Sequence, residues 1–192
     1  MPTPNPDALD FLLTRRSRPA KTLVAPAPDR AALAPILTAG LRVPDHGKLE
    51  PWRLVVLEGA ALTRLAEVAT RRAQKVGMDP DKAAKAAQMF SGAPLIVAVI
   101  SAPVESEKVP EIEQLYSAGA VCLSLVNAAL AAGWGANWLT GWTATDPAFL
   151  GEALNLRAPA EVAGYIVIGT ETTAPPDRPR PEVEAKVTWV DE

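Results

Sequence analysis

Apolar residues recur along this chain with two different periods, and the switches between them predict the order of its elements. Leu9, Leu12 and Leu13 share a helical face behind Asn5-Pro6-Asp7, which supplies a cap, a proline at the first helical position and an acidic first turn. That helix is expected to stop near Arg16-Ser17, before Pro19. Asp29 caps a second helical stretch bearing Leu33, Ile36, Leu37 and Leu41, closed by Pro44. Trp52 to Leu57 and Leu95 to Ile100 are continuous apolar, β-branched runs and predict two buried strands. Between them, Ala60 to Val76 and Pro80 to Phe90 are rich in Ala, Arg, Lys and Gln, good helix formers with solvated faces, and predict a helical hairpin.

Pro110 to Ala132 predicts a long core or dimer helix, because Ser117, Ala118, Gly119 and Ala120 let another backbone come close. Asn137 to Thr140 and Tyr165 to Ile168 predict short strands separated by an Asp146-capped helix up to Leu154. Four prolines stiffen an arm from Ala174 to Pro181, and Lys186 to Val190 resumes a strand pattern that could join a neighbour's sheet. An α+β sandwich in one domain spanning residues 1–192 is expected, without internal repeats.

Composition removes several classes of function. A net charge of −3 and arginines scattered singly or in pairs leave no basic stripe for a nucleic-acid backbone. The apolar window from Ala118 to Trp134 is broken by Ser124 and Asn127 and reads as a buried helix, so no membrane partner is expected. Met1 to Pro6 lacks the pattern of a signal peptide, which predicts a cytoplasmic location. With one cysteine, Cys122, and one histidine, His46, a Cys/His zinc site cannot fill its ligand set, and no metal is expected. Cys122 sits in the apolar helix without a basic neighbour and reads as an inert thiol. No G-x-S-x-G accompanies the histidine, so serine-hydrolase chemistry fails.

The remaining candidates cluster. Arg15-Arg16-Ser17 places two forked donors and a hydroxyl at a helix end, which suits a phosphate and equally suits the negative end of a helix dipole. Arg42-Val43-Pro44-Asp45-His46 is either an exposed capping loop or the place where an imidazole serves a redox site as hydrogen-bond donor or proton source. Gly133 to Trp138 has the glycines of a dinucleotide fingerprint, yet follows a helix and enters a strand, which excludes a Rossmann reading. Trp134, Trp138 and Trp142 either anchor the core or line a flat ligand. Arg178 and Arg180 either clamp a phosphate or keep the arm soluble.

Taken in order, Arg15-Arg16-Ser17, Arg42 to His46, Pro51-Trp52 opening a strand, Lys108-Val109-Pro110, Ser117-Ala118-Gly119, Gly135 to Gly141 around Trp138, and Gly164 to Thr170 resemble the nitroreductase family, in its small YdjA-like branch. The resemblance spans nearly the whole chain. It implies a nitroreductase-like α+β fold with a central mixed or antiparallel sheet flanked by helices, in an intertwined homodimer exchanging its C-terminal strand. It further implies flavin mononucleotide (FMN) at the interface, NADH or NADPH as electron donor and a small-molecule electron acceptor.

By the same resemblance Arg15, Arg16 and Ser17 contact the FMN phosphate and ribityl chain. Arg42 and His46 reach the facing subunit's flavin, Asn137, Trp138 and Leu139 pass beside the flavin, and Arg178 or Arg180 adds a phosphate contact. The chain departs from larger members at Asp45, His46, Gly47 and Glu50, and Leu139 can offer only its backbone where some relatives have a basic residue. The expected activity is ping-pong reduction of a nitroaromatic, quinone or similar flat acceptor. The alternative is a non-catalytic flavin-binding or redox-sensing dimer.

Overall fold

The computed structural model describes residues 3–191. Helix α1 (Pro6–Thr14) is capped by Asn5 as its sequence demands, yet none of its residues is buried. A two-residue strand β1 (Leu23–Val24) precedes α2 (Arg30–Gly40), capped by Asp29, and β2 (Trp52–Leu57). The helical hairpin is α3 (Ala60–Lys75) and α4 (Pro80–Ser91), followed by β3 (Ile96–Ser101) and the long α5 (Glu111–Ala131). Then come β4 (Gly135–Leu139), α6 (Pro147–Leu154) behind its Asp146 cap, and β5 (Glu161–Glu171).

The strands form one five-stranded sheet in the order β1-β5-β3-β2, with β4 also on β5, and every pairing is antiparallel. Both faces are covered, which is why β3 is buried along its whole length and reads as an unbroken apolar run. On one face Leu65, Ala69, Phe90 and Phe149 pack with Tyr165 from β5, joining α3, α4 and α6 to the sheet. On the other, Leu33 and Ile36 of α2 and Val121, Cys122, Leu125 and Val126 of α5 cover Val97, Val99, Ile166 and Ile168. By length and composition α5 could cross a membrane, but these packed side chains are those of a core helix.

Three elements differ from their sequence signals. Strand β5 runs to 11 residues where only Tyr165 to Ile168 was legible, because Gly164 and Gly169 look like strand breaks. At Gly164 the missing side chain is required: a Cβ there would collide with the Trp138 indole and approach Cys122 Sγ to 2.9 Å. Strand β1 is too short to show a period and exists because Leu23 and Val24 find Glu171 and Thr170 opposite them. Lys186 to Val190 is not a strand within this chain: Val187 N–H closes a turn on the Val183 carbonyl, and Trp189 and Val190 are 86% and 84% exposed. A strand pattern without an edge to pair with has no hydrogen-bond partners to make it one.

The α3–α6 contact carries an acid-sensitive tie. Asp146 accepts two hydrogen bonds from Arg72, both 2.9 Å, and one from Phe149 N–H at 2.7 Å. The Arg72 guanidinium, more than any other neighbour, holds the Asp146 carboxyl below its ordinary value. A depressed carboxyl contributes stability above its unfolded value near pH 4 and loses it as the pH falls through the folded value. The Asp146→Asn variant is therefore expected to melt below the parent protein at pH 7, with the difference shrinking in melts recorded below about pH 4.

Candidate functional site

Where α1 ends, the chain turns extended at Arg15 and runs along β4. Arg18 N–H donates to the Ala136 carbonyl at 2.9 Å, and the Asn137 side-chain amide donates to the Arg18 carbonyl. This docking gathers Arg15, Arg16 and Arg18, all partly buried, against the sheet edge. Arg15 Nη2 donates to Ser17 Oγ at 2.8 Å, and Arg18 Nε lies 3.3 Å from Glu171 Oε2. Burial, and then the guanidinium groups of Arg180, Arg16 and Arg18, hold Arg15 below the ordinary arginine value. The arm therefore brings Arg180, from the far end of the sequence, within electrostatic reach of Arg15; Arg180 Nη2 also lies 3.5 Å from Asp177 Oδ1.

The Nε atoms of Arg15 and Arg16 are buried without a hydrogen-bond acceptor, and that of Arg18 faces the Glu171 carboxylate 3.3 Å away. Buried donors left this way cost free energy until an acceptor arrives, and two converging on one place fit an anion such as a phosphate. No basic residue lies within the last turn of α1, but Arg15 is its C-cap residue, so the dipole reading stands beside the phosphate one.

Further along the same two segments lies a cavity of about 270 Å³, lined by Lys21, Lys85, Gln88, Met89, Gly92 and Leu139 among others. Lys21 follows Arg18 by three residues and Leu139 follows Asn137 by two, so both chain segments that hold the arginines run on into the cavity wall. Its lining combines apolar walls with three side-chain donors, a composition suited to a flat, carbonyl-bearing ring. Lys85 and Gln88 lie on the helical hairpin and are exposed, as solvated helix positions are in sequence, yet both also line this cavity.

The Arg42 to Glu50 loop lies elsewhere, at the Trp52–Ser101 end of the β2–β3 pair, whereas the cavity lies near Ala93 and Val167 at the Leu57–Ile96 end. The loop is rigid. Gly47, Lys48 and Glu50 all adopt positive φ, and the Asp45 carboxylate fixes this turn by accepting from Leu49 N–H at 3.1 Å and Glu50 N–H at 2.9 Å. Helix α5 holds it from below: Ser117 Oγ donates to the Pro44 carbonyl at 2.7 Å and accepts from Trp52 Nε1 at 3.0 Å. His46 Nδ1 meets Glu113 Oε2 at 2.8 Å. Glu113 had no sequence signal beyond an acidic first turn.

The comparisons with known proteins can now be placed on this geometry. The Nitroreductase family profile matches residues 12–170. The chain is also 37% identical over 164 residues, 85% of its length and 88% of the relative's, to YdjA of Escherichia coli (strain K12), a provisionally named NAD(P)H nitroreductase. The chain belongs to the nitroreductase family.

Solved nitroreductase structures share the fold. A nitroreductase-like family protein from Bacillus cereus superposes with a TM-score of 0.80 at 20% identity, covering 100% of both chains. A nitroreductase of Desulfovibrio desulfuricans, solved in complex with FMN, gives 0.72 at 24% identity, covering 99% of this chain and 100% of its own. In this nitroreductase Arg15, Arg16, Ser17, Asn137, Leu139 and Arg180 gather on one side of the molecule, while Arg42 and His46 stand apart from them. Arg178 makes only a backbone hydrogen bond to Asp177.

The tryptophans divide. Trp142 stacks edge-on against Phe149 at 5.6 Å and Trp134 packs on the α2–α5 core, so both are anchors. Trp138 differs: its indole donates to the Ala163 carbonyl at 3.2 Å, lies beside Gly119 of α5 and remains exposed. Cys122 is fully buried, and desolvation pushes its thiol up to about 12, which leaves no thiolate for nucleophilic chemistry.

Proposed function

We propose that this nitroreductase is a cytoplasmic, homodimeric FMN enzyme that uses NADH or NADPH to reduce nitroaromatics, quinones or similar flat acceptors. The observation that carries this reading is the set of orphaned guanidinium N–H groups on the segments that lead into a cavity walled by Met89 and Leu139 and edged by Lys21, Lys85 and Gln88. Arg15, Arg16 and Ser17, with Arg180 from the arm, would hold the phosphate of FMN. The lysines and Gln88 would donate to the carbonyl-rich edge of its ring, and Leu139 would flank it. When bound, FMN supplies reversible hydride acceptance. The FMN complex of the Desulfovibrio protein and the name of the Escherichia coli relative support the same assignment.

Assembly follows from surfaces that a monomer leaves open. Ile112, Leu115, Tyr116 and Leu123 form an exposed apolar stripe on α5, and Leu9, Leu12 and Leu13 of α1 are equally exposed. Strand β2 has β3 as its one neighbour among the described residues, so its outer edge is free to accept the Lys186 to Val190 segment of a second copy. Because the Arg42–Glu50 loop and the cavity occupy opposite ends of the sheet, Arg42 and His46 reach a flavin only across the dimer.

Among the described residues there is no separate dinucleotide domain, so nicotinamide and acceptor are taken to share one bay and enter by turns. Initial rates measured over a grid of NAD(P)H and quinone concentrations are expected to give parallel double-reciprocal lines. Intersecting lines would show both substrates bound together and overturn the shared bay. Protein that binds FMN but oxidises no NAD(P)H with any nitroaromatic or quinone would instead be a flavin-binding module.

A further inference from the structure

His46, placed at a flavin only across the dimer, forms a polar pair with Glu113, to which the proposed binding of FMN gives no role. They lie 67 positions apart, on different elements, yet meet at 2.8 Å. The rest of the loop is tied down by the Asp45 turn and by hydrogen bonds involving Ser117 and Trp52, with the imidazole exposed beside it. We propose that Glu113 is the positioning residue of a proton-delivering pair, fixing His46 so that Nε2 is the nitrogen that serves the acceptor. This rests on the proposed activity and on the loop of one subunit facing the cavity of the other.

The chemistry follows from donor counting. An ionised carboxylate only accepts hydrogen bonds, so its contact assigns a proton to Nδ1 and leaves Nε2 to exchange protons with its surroundings. Reduction of a quinone needs a hydride and a proton: the hydride, from reduced flavin, forms the new bond, and the displaced π electron pair moves onto oxygen. That oxygen then takes the Nε2 proton of the doubly protonated imidazolium, which leaves the neutral ring with its remaining proton on Nδ1 against Glu113, and water then reprotonates Nε2. The preceding transfer, from NAD(P)H to flavin, requires alignment of two rings and draws no proton from His46. Glu113 therefore matters to one half of the cycle.

His46 is the only histidine in the chain, so its ring nitrogens can be observed by NMR without competing signals. In the FMN-loaded dimer the neutral ring is expected to carry its proton on Nδ1, and Glu113→Ala is expected to move it predominantly to Nε2. In stopped-flow experiments with 1,4-benzoquinone, Glu113→Ala should slow flavin reoxidation about tenfold, a fraction of what general-acid catalysis supplies, and leave reduction by NADPH or NADH unchanged. Added to His46→Ala, the same substitution should have no further effect. A neutral ring carrying its single proton on Nε2 in the parent protein, equal slowing of both half-reactions, or additive effects in the double variant would each overturn the pairing while leaving the oxidoreductase intact. A parent dimer that NAD(P)H cannot reduce would overturn the proposed activity, and the pairing with it.

Discussion

Replacing Arg15 with alanine is expected to weaken FMN binding by about 10- to 100-fold while changing riboflavin affinity little, which is what losing one charge-assisted contact to a phosphate costs. Arg15 is the centre of its cluster: it donates to Ser17 Oγ and feels Arg180, Arg16 and Arg18 together. Four like charges at one place oppose folding and one another, offset by two carboxylates, Glu171 beside Arg18 and Asp177 beside Arg180. A dianionic phosphate would relieve that repulsion and give the buried Nε–H groups their missing acceptor. Riboflavin offers the same ring to the cavity and no anion to the arginines, so comparing the two ligands by fluorescence quenching isolates the charge term. Equal losses for both would place Arg15 in the scaffold rather than at the phosphate.

How much of this arrangement the sequence revealed depends on the range of the interactions involved. Strand β2 was legible to the residue, because Pro51 and Gly59 bracket an apolar run. The helices capped by Asn5, Asp29 and Asp146 were legible because a cap acts within three residues of itself. Arg15-Arg16-Ser17 stood out as neighbours in sequence. Lys85 and Gln88 did not, because a lysine or glutamine on a helix looks the same whether it faces water or a cavity. Glu113 and Glu171 were silent for the related reason that their partners, His46 and Arg18, are brought to them by tertiary structure alone. The tryptophans, evenly balanced in sequence between anchor and ligand roles, differ in burial: Trp142 has its indole N–H buried, whereas Trp138 is 39% exposed.

Deleting the chain after Thr173 is expected to weaken the dimer and empty the flavin site together. The deleted arm carries Val183, Val187, Trp189 and Val190, all exposed in the single chain, and an apolar set of this size on an extended segment has no reason to face water. Seated on a second copy, Trp189 becomes an anchor whose loss alone raises the dimer dissociation constant by about 30-fold or more. The same deletion removes Arg180 from the Arg15 cluster, so FMN loses a cation even where dimer persists. Two further variants separate these effects. Arg180→Ala should lower FMN occupancy at unchanged dimer stability, and Trp189→Ala should weaken the dimer first and lose flavin only as monomer accumulates. Sedimentation velocity, followed at the flavin absorbance and at 280 nm, reads both quantities in one experiment. A truncated chain that sediments as a fully flavinated monomer would show that the arm neither bridges two subunits nor completes the site. The free edge of β2 would then need another occupant.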